Sequence, residues 1–470
     1  MKRPLFLIPL VLALSACAIA PRYERPKLAV PASFEEDGAW RLARPGMPDE
    51  RSPDHSFWWQ AYGDATLDDL VQRAMAANQT LKQAEAQLRQ SQALAQGAAS
   101  AYWPTLGVSG QASRQRAAAL SGPQLYDTRA GALQASWEPD FWGRVRAGTD
   151  AADATARASE ADLAAARLSV QAAVVNLFAQ LRVDDALIEA LHRTVEGYQK
   201  SLNIARSQLR AGVATPADVA LAESTLATAQ AQAVDVELAR KQGEHALAVL
   251  LGVAPADFHL PGAALALKLP VTPPLLPSQL LERRPDIAGA EARVQAANAQ
   301  IGVARGAWFP HLVFNASGGG TALGLWTNAP QRVWALGAAL TGTLFDGGQR
   351  SAQNAQAEAA LDQQAASYRQ VVLASFQDVE DNLAALRDLA AERVLQEQAL
   401  AAARESERVL LKQYQAGTAT YVAVINAQAL SLTAERSLFQ LQGRELAASV
   451  ALTKALGGGY AAAQPISKTN

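Results

Sequence analysis

The chain has 470 residues, half of them apolar by count and only 6% aromatic, with 42 Lys and Arg against 44 Asp and Glu. A net charge of -2 and a pI near 6.3 leave no electrostatic footprint for nucleic acid and no basic run aimed at an anionic membrane surface. Crowding by Ala and Gln favours long helices over globular cores.

The N-terminus reads as an export program. Lys2 and Arg3 precede an apolar run from Leu5 to Leu14, too short to span a bilayer, and Leu14-Ser15-Ala16-Cys17 closes it. Residues 1–16 are therefore expected to be a signal peptide. The closing string resembles a bacterial lipobox, which implies cleavage before Cys17 and acylation of its sulfur; an incidental thiol is the alternative. Ala18 stands where lipoproteins retained at the inner membrane have Asp, which implies an outer-membrane destination. Residues 17–60 are expected to form an extended, lipidated segment. No later stretch offers about eighteen uninterrupted apolar residues, so any crossing of a membrane is expected to use strands.

From residue 61 the chain is written twice. Gln208-Leu209-Arg210-Ala211-Gly212-Val213-Ala214-Thr215 returns about 205 residues later as Gln413-Tyr414-Gln415-Ala416-Gly417-Thr418-Ala419-Thr420. Ala84-Glu85-Ala86, Tyr102-Trp103-Pro104 and Leu250-Leu251-Gly252 recur at the same offset as Ala290-Glu291-Ala292, Trp308-Phe309-Pro310 and Ala455-Leu456-Gly457. Two structural repeats follow, 61–257 and 276–458, joined by a proline-rich linker, 258–275, and closed by a tail, 459–470.

In the first repeat, strands are expected over about 104–137, in two runs, 104–116 and 125–137. A helix from about 144 to 211 carries Val174, Leu181, Ile188, Val195, Leu202 and Leu209 every seven residues, with Val170, Leu177, Leu191 and Tyr198 in the second seam position and a break at Asp184. Gly212 suits the left-handed residue that stops this helix, Thr215 can cap the next, Pro216 suits its first position, and Asp218 completes a capping box. The tip is thus expected near 212–218. In the second repeat, strands are expected over about 310–345, in two runs, 311–319 and 331–345. The seam returns through Val372, Phe376, Val379, Leu383, Leu386 and Ala390 and blurs beyond Arg393. The second tip falls near 417–426, with Gly417 stopping one helix and Thr420 capping the next. Heptads alone are equally consistent with a coiled-coil stalk. Six of the nine tryptophans, Trp103, Trp137, Trp142, Trp308, Trp326 and Trp334, lie in or beside the strand runs, as an interfacial girdle or as buried packing groups.

Two hairpins give four strands, and four cannot close a barrel. Open edges in lipid would leave backbone groups unpaired at several kcal/mol each, so the chain is expected to assemble as a homotrimer with twelve strands and a lumen.

With these pieces assembled, the sequence resembles the TolC-like outer-membrane efflux factors, in particular their lipid-anchored NodT-type branch, over about residues 57–457. The resemblance rests on Phe57-Trp58-Trp59 with the leucines Leu67 and Leu70, on the string Leu280 to Ile287 containing Arg283-Arg284-Pro285-Asp286, on Phe345-Asp346-Gly347-Gly348, on the stretch Phe376 to Asp381, and on both glycine tips. It implies a mainly α fold with a membrane β part: long coiled-coil hairpins forming an α-barrel, and four strands per chain in a trimeric twelve-strand barrel. It further implies an exit duct of a tripartite efflux pump, contacting a periplasmic adaptor protein at the tips (Gly212, Thr215, Asp218, Gly417 and Thr420) and serving an inner-membrane efflux transporter, with no cofactor. Relatives follow the second tip with Leu-Asp-Ala-Gln-Arg; here the string is Ile425-Asn426-Ala427-Gln428-Ala429, which makes Asn426, with Asp218, the candidate gate. Pro139 replaces a usual leucine after Trp137, which suggests a strand end or a bend.

Two other function classes compete for these residues. An enzyme lacks support: the five histidines are scattered, no His-Glu-x-x-His pair exists, Gly318-Gly319-Gly320 is followed by no Gly-Lys-Ser/Thr, and the acids Asp378, Glu380 and Asp381 read as a solvated helix face. A periplasmic adaptor or coiled-coil scaffold lipoprotein is the stronger rival, although an adaptor usually has one hairpin rather than two in tandem.

Overall fold

A computed structural model describes residues 20–31, 33–36, 55–119, 122–270, 283–323 and 331–458. Cys17, the signal segment, Trp326 and the 459–470 tail fall outside the described residues. The elements in chain order are α1 (Ala65–Ala77), α2 (Gln79–Ala99), β1 (Thr105–Ala119), β2 (Gly122–Trp137), α3 (Arg144–Arg210), α4 (Pro216–Leu250), α5 (Pro285–Gly306), β3 (His311–Leu323), β4 (Gln331–Thr341), α6 (Gln349–Gln415) and α7 (Tyr421–Ala455). Helices α3 and α6 both have 67 residues, α4 and α7 both have 35, and each pair starts 205 positions apart. At 1.5 Å per residue the longer helices run about 100 Å. The strands fall on the four expected runs with shifted ends: β1 runs on to Ala119 rather than 116, β2 begins at Gly122 rather than 125, β3 extends to Leu323 rather than 319, and β4 stops at Thr341 rather than 345. Pro139 does follow a strand end: β2 closes at Trp137 and Asp140 caps α3, accepting from the Val145 and Arg146 amides.

The described chain divides into two compact units. The first contains the sheet and the adjoining parts of α2, α3, α5 and α6. Its four strands form an antiparallel meander in the order β1-β2-β3-β4, leaving β1 and β4 as open edges. Register sorts the side chains into two faces. On one, Leu106, Val108, Leu133, Ala135, Phe314, Ala316, Leu336 and Leu340 share rows; on the other stand Ser109, Gln111, Gln134, Ser136, Asn315, Ser317 and Thr341. The alternation is blurred along single strands because glycines and alanines occupy both faces. Pairing across strands makes it plain.

At the helix-proximal end of this sheet, Trp103, Trp137 and Trp308 are 75%, 39% and 53% exposed on the single chain, so they are not packed into its own core. Trp142 stacks on Phe309 with ring centroids 5.1 Å apart and donates to the Pro310 carbonyl at 2.8 Å. Asp346 caps α6, accepting from the Gly348 and Arg350 amides. The segment 20–28 lies along the unit's helices: Tyr23 and Arg25 reach Glu291, and Asn298 donates to the Pro21 carbonyl at 2.9 Å. Ala20 sits so close to Gly302 that a side chain there would overlap it.

The second unit holds the α3–α4 and α6–α7 hairpin arms, α1 and segments 29–36 and 253–270. Its core gathers Trp58, Trp59, Tyr62, Leu67 and Leu70 against Val174, Phe178 and Leu181 of α3, Leu247 and Leu251 of α4, and Val450 of α7. The expected seam of α3 is buried or half-buried at every position, and α3 runs unbroken through Asp184, itself buried and accepting from Gln180. Among the described residues α3 alone is long and apolar enough to cross a membrane by composition, with a mean hydropathy of 1.2 over eighteen residues; its packed seam accounts for that apolarity. In α6 the seam passes through Leu389, and Ala390 is exposed, because the heptad drifts by a residue there.

The acids on α6 also depart from expectation. Asp378 pairs with Arg284 at 3.0 Å, and Glu380 accepts from the Glu35 and Glu36 amides at 2.8 and 3.1 Å. Two of the three therefore bind other segments, and Asp381, which accepts from Gln377 one turn away, is left on the solvated face. Arg284 additionally grips Asp286 with two nitrogens and donates to the Ala455 carbonyl, so the Arg-Arg-Pro-Asp string ties the start of α5 to α6 and α7.

Candidate functional site

Both hairpin tips close by the same physics. Gly212 and Gly417 have φ of 74° and 76°, a region glycine enters without a Cβ clash. The next residue's amide reaches back to the carbonyl five positions earlier, Val213 to Gln208 and Thr418 to Gln413, each at 2.9 Å. At the first tip the expected capping box forms. The Asp218 amide donates to the Thr215 hydroxyl at 3.3 Å, and the Asp218 carboxylate accepts from the Thr215 amide and hydroxyl at 2.8 Å each. Those two donors, amide first, hold the Asp218 carboxyl below the usual carboxylate range.

The second tip does not repeat this. Thr420 makes no cap hydrogen bond, Ala423 three places on offers no acid to close a reciprocal box, and Thr418 donates its hydroxyl to Gln413 at 3.1 Å. Thr215→Ala is therefore expected to cost about 1 kcal/mol at the first tip and Thr420→Ala less than about half that, read as amide hydrogen-exchange protection in the first turns of α4 and α7. Because the folded Asp218 pKa is depressed, the box's contribution is present above the ordinary carboxylate pKa and disappears as pH falls through the folded value, below about 3.9. Equal losses for the two threonines would contradict the asymmetry.

Behind the tips the two hairpins share an apolar cluster: Tyr198 and Leu202 of α3, Leu226 of α4, Tyr414 of α6, and Tyr421 and Val424 of α7. The Tyr414 and Tyr421 rings lie 5.3 Å apart, and burial, then neighbouring charge, pushes the Tyr421 hydroxyl up to about 12. Asn426 is exposed, on a different side of α7 from Val424, Ala427 and Gln428. Among the described residues no hydrogen bond joins it to Asp218, whose carboxylate is taken up locally.

Nine residues beyond Asn426, α7 carries a node that motif reading missed. Glu435 Oε1 accepts from Arg193 of α3 at 2.9 Å and from Arg404 of α6 at 2.8 Å, its own side chain being 12% exposed. Around it a cavity of about 410 Å³ is lined by Arg193, Tyr198, Arg404, Glu407, Gln428 and Ser431, among others. One carboxylate thus bridges both hairpins. The signal was available: Gln428, Ser431 and Glu435 form a polar stripe at helical spacing on the buried side of α7. Also missed were the exposed apolar groups near the tips, Val213, Leu221 and Val422.

Comparison with known proteins decides the family. The model of the outer membrane efflux protein family matches twice, over residues 70–253 and 276–458. This chain belongs to the outer membrane efflux proteins. The efflux protein is 33% identical to the pyoverdine export outer membrane protein OpmQ of Pseudomonas aeruginosa, over 97% of each chain, and 32% identical to outer membrane protein OprJ of the same organism, over 98% of this chain and 97% of that one. Its fold matches the open state of the MtrE outer membrane channel of Neisseria gonorrhoeae with a TM-score of 0.81 at 28% identity, covering 94% of this chain and 98% of that one. The efflux protein is an outer-membrane channel, which removes the adaptor and scaffold reading. The polar sheet face, free of carboxylates among its described residues, suits a channel wall.

Proposed function

We propose that this efflux protein is the passive exit duct of a tripartite pump and carries out no chemistry. Three copies join edge to edge, β1 of one chain to β4 of the next, into a twelve-strand barrel whose apolar face meets lipid and whose Ser, Gln, Asn and Thr face meets water. The observation that carries this reading is the meander with two open edges and faces of opposite character. In lipid such edges must be paired, and four strands cannot pair their own. The two repeats, 61–257 and 276–458, with the 258–275 linker between them, then act as equivalent building blocks. Reconstitution in planar bilayers tests the duct: discrete conductance steps from a heat-modifiable oligomer are expected, and a conductance of zero from an intact oligomer would sink it.

Cleavage after residue 16 and acylation of Cys17 complete the anchor. Ala20, three residues on, packs against Gly302 within the unit that holds the sheet, which supports a lipid-bearing residue near the membrane surface. The glycine tips, with Val213, Leu221 and Val422 exposed beside them, serve as the contact for a periplasmic adaptor that links the duct to an inner-membrane transporter.

The entrance is held by a different set of groups from the acid and arginine of relatives. Loss of both at Asn426 and Ala429 strands no charge, and Glu435 with Arg193 and Arg404 supplies an inter-hairpin tie instead, supported by Asn426 hydrogen bonds between neighbouring chains and by Asp218. Glu435→Gln is expected to raise single-channel conductance several-fold and sensitise cells to large antibiotics; Asn426→Ala is expected to do so more weakly. If both variants conduct like the parent, neither residue belongs to the gate.

A further inference from the structure

The sequence has no basic run for an anionic surface, yet strand pairing builds a basic band. Arg114, Arg116, Arg129 and Arg332 all project from the sheet face that carries Leu106, Val108, Leu133 and Leu336; Arg114, Arg116 and Arg332 lie in the helix-distal halves of their strands, and Arg129 stands at the middle of β2. Register fixes this: Arg114 faces Asp127, Arg116 faces Leu125, Arg129 faces Ala112 and Ala322, and Arg332 faces Gly320. Asp127, paired with Arg114 at 3.4 Å, is the acid on this face among the described residues. Four guanidinium groups against one carboxylate give a strongly positive rim directly above an apolar band. Arg114, Arg116 and Arg332 are exposed; Arg129 is half-buried with partners within the chain.

Arginine is costly at the midplane of a barrel's lipid face and nearly free near the interface. The band therefore marks where hydrocarbon gives way to headgroups. Below it, an apolar groove of about 270 Å³ runs beside Leu106, Leu133, Ala135, Ala316 and Gly318. Leu133 is four residues from Arg129 on β2, roughly 13 Å along the strand. Acyl chain below and anion above is the outline of one amphiphile. Guanidinium, with its planar fork of donors, recognises phosphate bidentately, where lysine offers only a point charge.

We propose that this rim is a binding surface for a phosphate-bearing lipid of the outer leaflet, its phosphates held by Arg114, Arg116, Arg129 and Arg332 and an acyl chain lying along Leu133 and Gly318. The proposal rests on the outward assignment of the apolar face made above, and the experiment separates the two. The full-length oligomer in detergent is titrated with diphosphorylated lipid A, with its dephosphorylated form, and with inorganic phosphate, while its thermal midpoint and retained lipid by native mass spectrometry are followed. Diphosphorylated lipid is expected to raise the midpoint and remain bound, the dephosphorylated form to be retained at least about tenfold less, and inorganic phosphate to do neither. The fourfold Arg→Gln variant is expected to lose the difference between the two lipids, and the fourfold Arg→Lys variant to recover part of it. Equal retention of both lipids, an unchanged Arg→Gln variant, or an equal shift from inorganic phosphate would each overturn the lipid site. A fluorophore at Leu133→Cys, read against parent protein labelled in the same way, reports the outward face by quenching from brominated lipid chains. Quenching without phosphate preference defeats the lipid site alone, and absence of quenching defeats the face assignment beneath it.

Discussion

Replacing Arg240 by Ala is expected to destabilise the second unit by about 3–5 kcal/mol, a magnitude set by stranding buried carboxylates. Arg240 sends Nε to Asp185 at 2.6 Å, Nη1 to Glu244 at 2.9 Å and Nη2 to the Leu260 carbonyl at 2.7 Å. Glu244 in turn accepts from the Leu260 amide at 2.6 Å, and Asp185 from the Ala263 amide and from Arg182. Arg240, Asp185 and Glu244 are 13%, 8% and 9% exposed, so water cannot take the arginine's place cheaply. The cluster pins the chain leaving α4 onto α3 and α4. Burial opposes the charged form of Arg240, but Asp185 and then Glu244 outweigh it and raise its pKa. Denaturant melts of the full-length protein measure the loss, and the double variant Arg240→Leu with Glu244→Met should recover part of it because one stranded acid is gone. A loss under about 1 kcal/mol for Arg240→Ala would mean that solvent reaches the cluster.

Gly319→Val is expected to abolish assembly of the barrel, whereas Gly318→Val should be tolerated. The two neighbours point to opposite faces at the β2–β3 junction, where the first repeat's sheet meets the second's. A Cβ on Gly319 would lie 2.2 Å from the Gly131 carbonyl oxygen and 2.8 Å from Ala132 Cα, backbone atoms that cannot swing away; one on Gly318 meets nothing within 4 Å. The ten residue pairs of that ladder would have to separate to admit valine. Outer-membrane fractions run with and without heating give the readout: the oligomer band should vanish for Gly319→Val and persist for Gly318→Val, and a normal band for the former would show that the ladder can shift.

How much of this was legible beforehand depends on how local the cause is. The glycine stops, the Thr215–Asp218 box and the α3 seam are set by residues within one turn or one heptad, and all were readable. Thr420 misled because its hydroxyl accepts from no first-turn amide and Ala423 supplies no acid to complete a box. The apolar and polar strand faces were obscured by glycine and alanine and emerged only when four strands were laid in register. Arg114, Arg116 and Arg129 are at most fifteen residues apart within the first hairpin, yet Arg332 is about two hundred residues further on. Only pairing gathers them into a rim. Glu435, Arg193 and Arg404 were missed because the node joins three helices. The acids Asp378 and Glu380 misled because their partners, Arg284 and the 35–36 backbone, are 94 and 344 to 345 residues away.

The identical lengths of the paired helices impose a rule on how this protein can change. Each added residue turns everything beyond it by about 100° around the helix axis and carries it about 1.5 Å further. Tyr198 and Leu202 from one hairpin must still meet Tyr414 and Tyr421 from the other. A lone insertion in α3 would swing its seam out of the packed layer and leave one tip protruding past its twin. Lengthening is therefore tolerable only as a matched change, whole heptads added to α3, α4, α6 and α7 together. Descendants of the duplicated ancestor can drift freely in surface residues and in charge at the tips, but their two halves stay bound to a common measure.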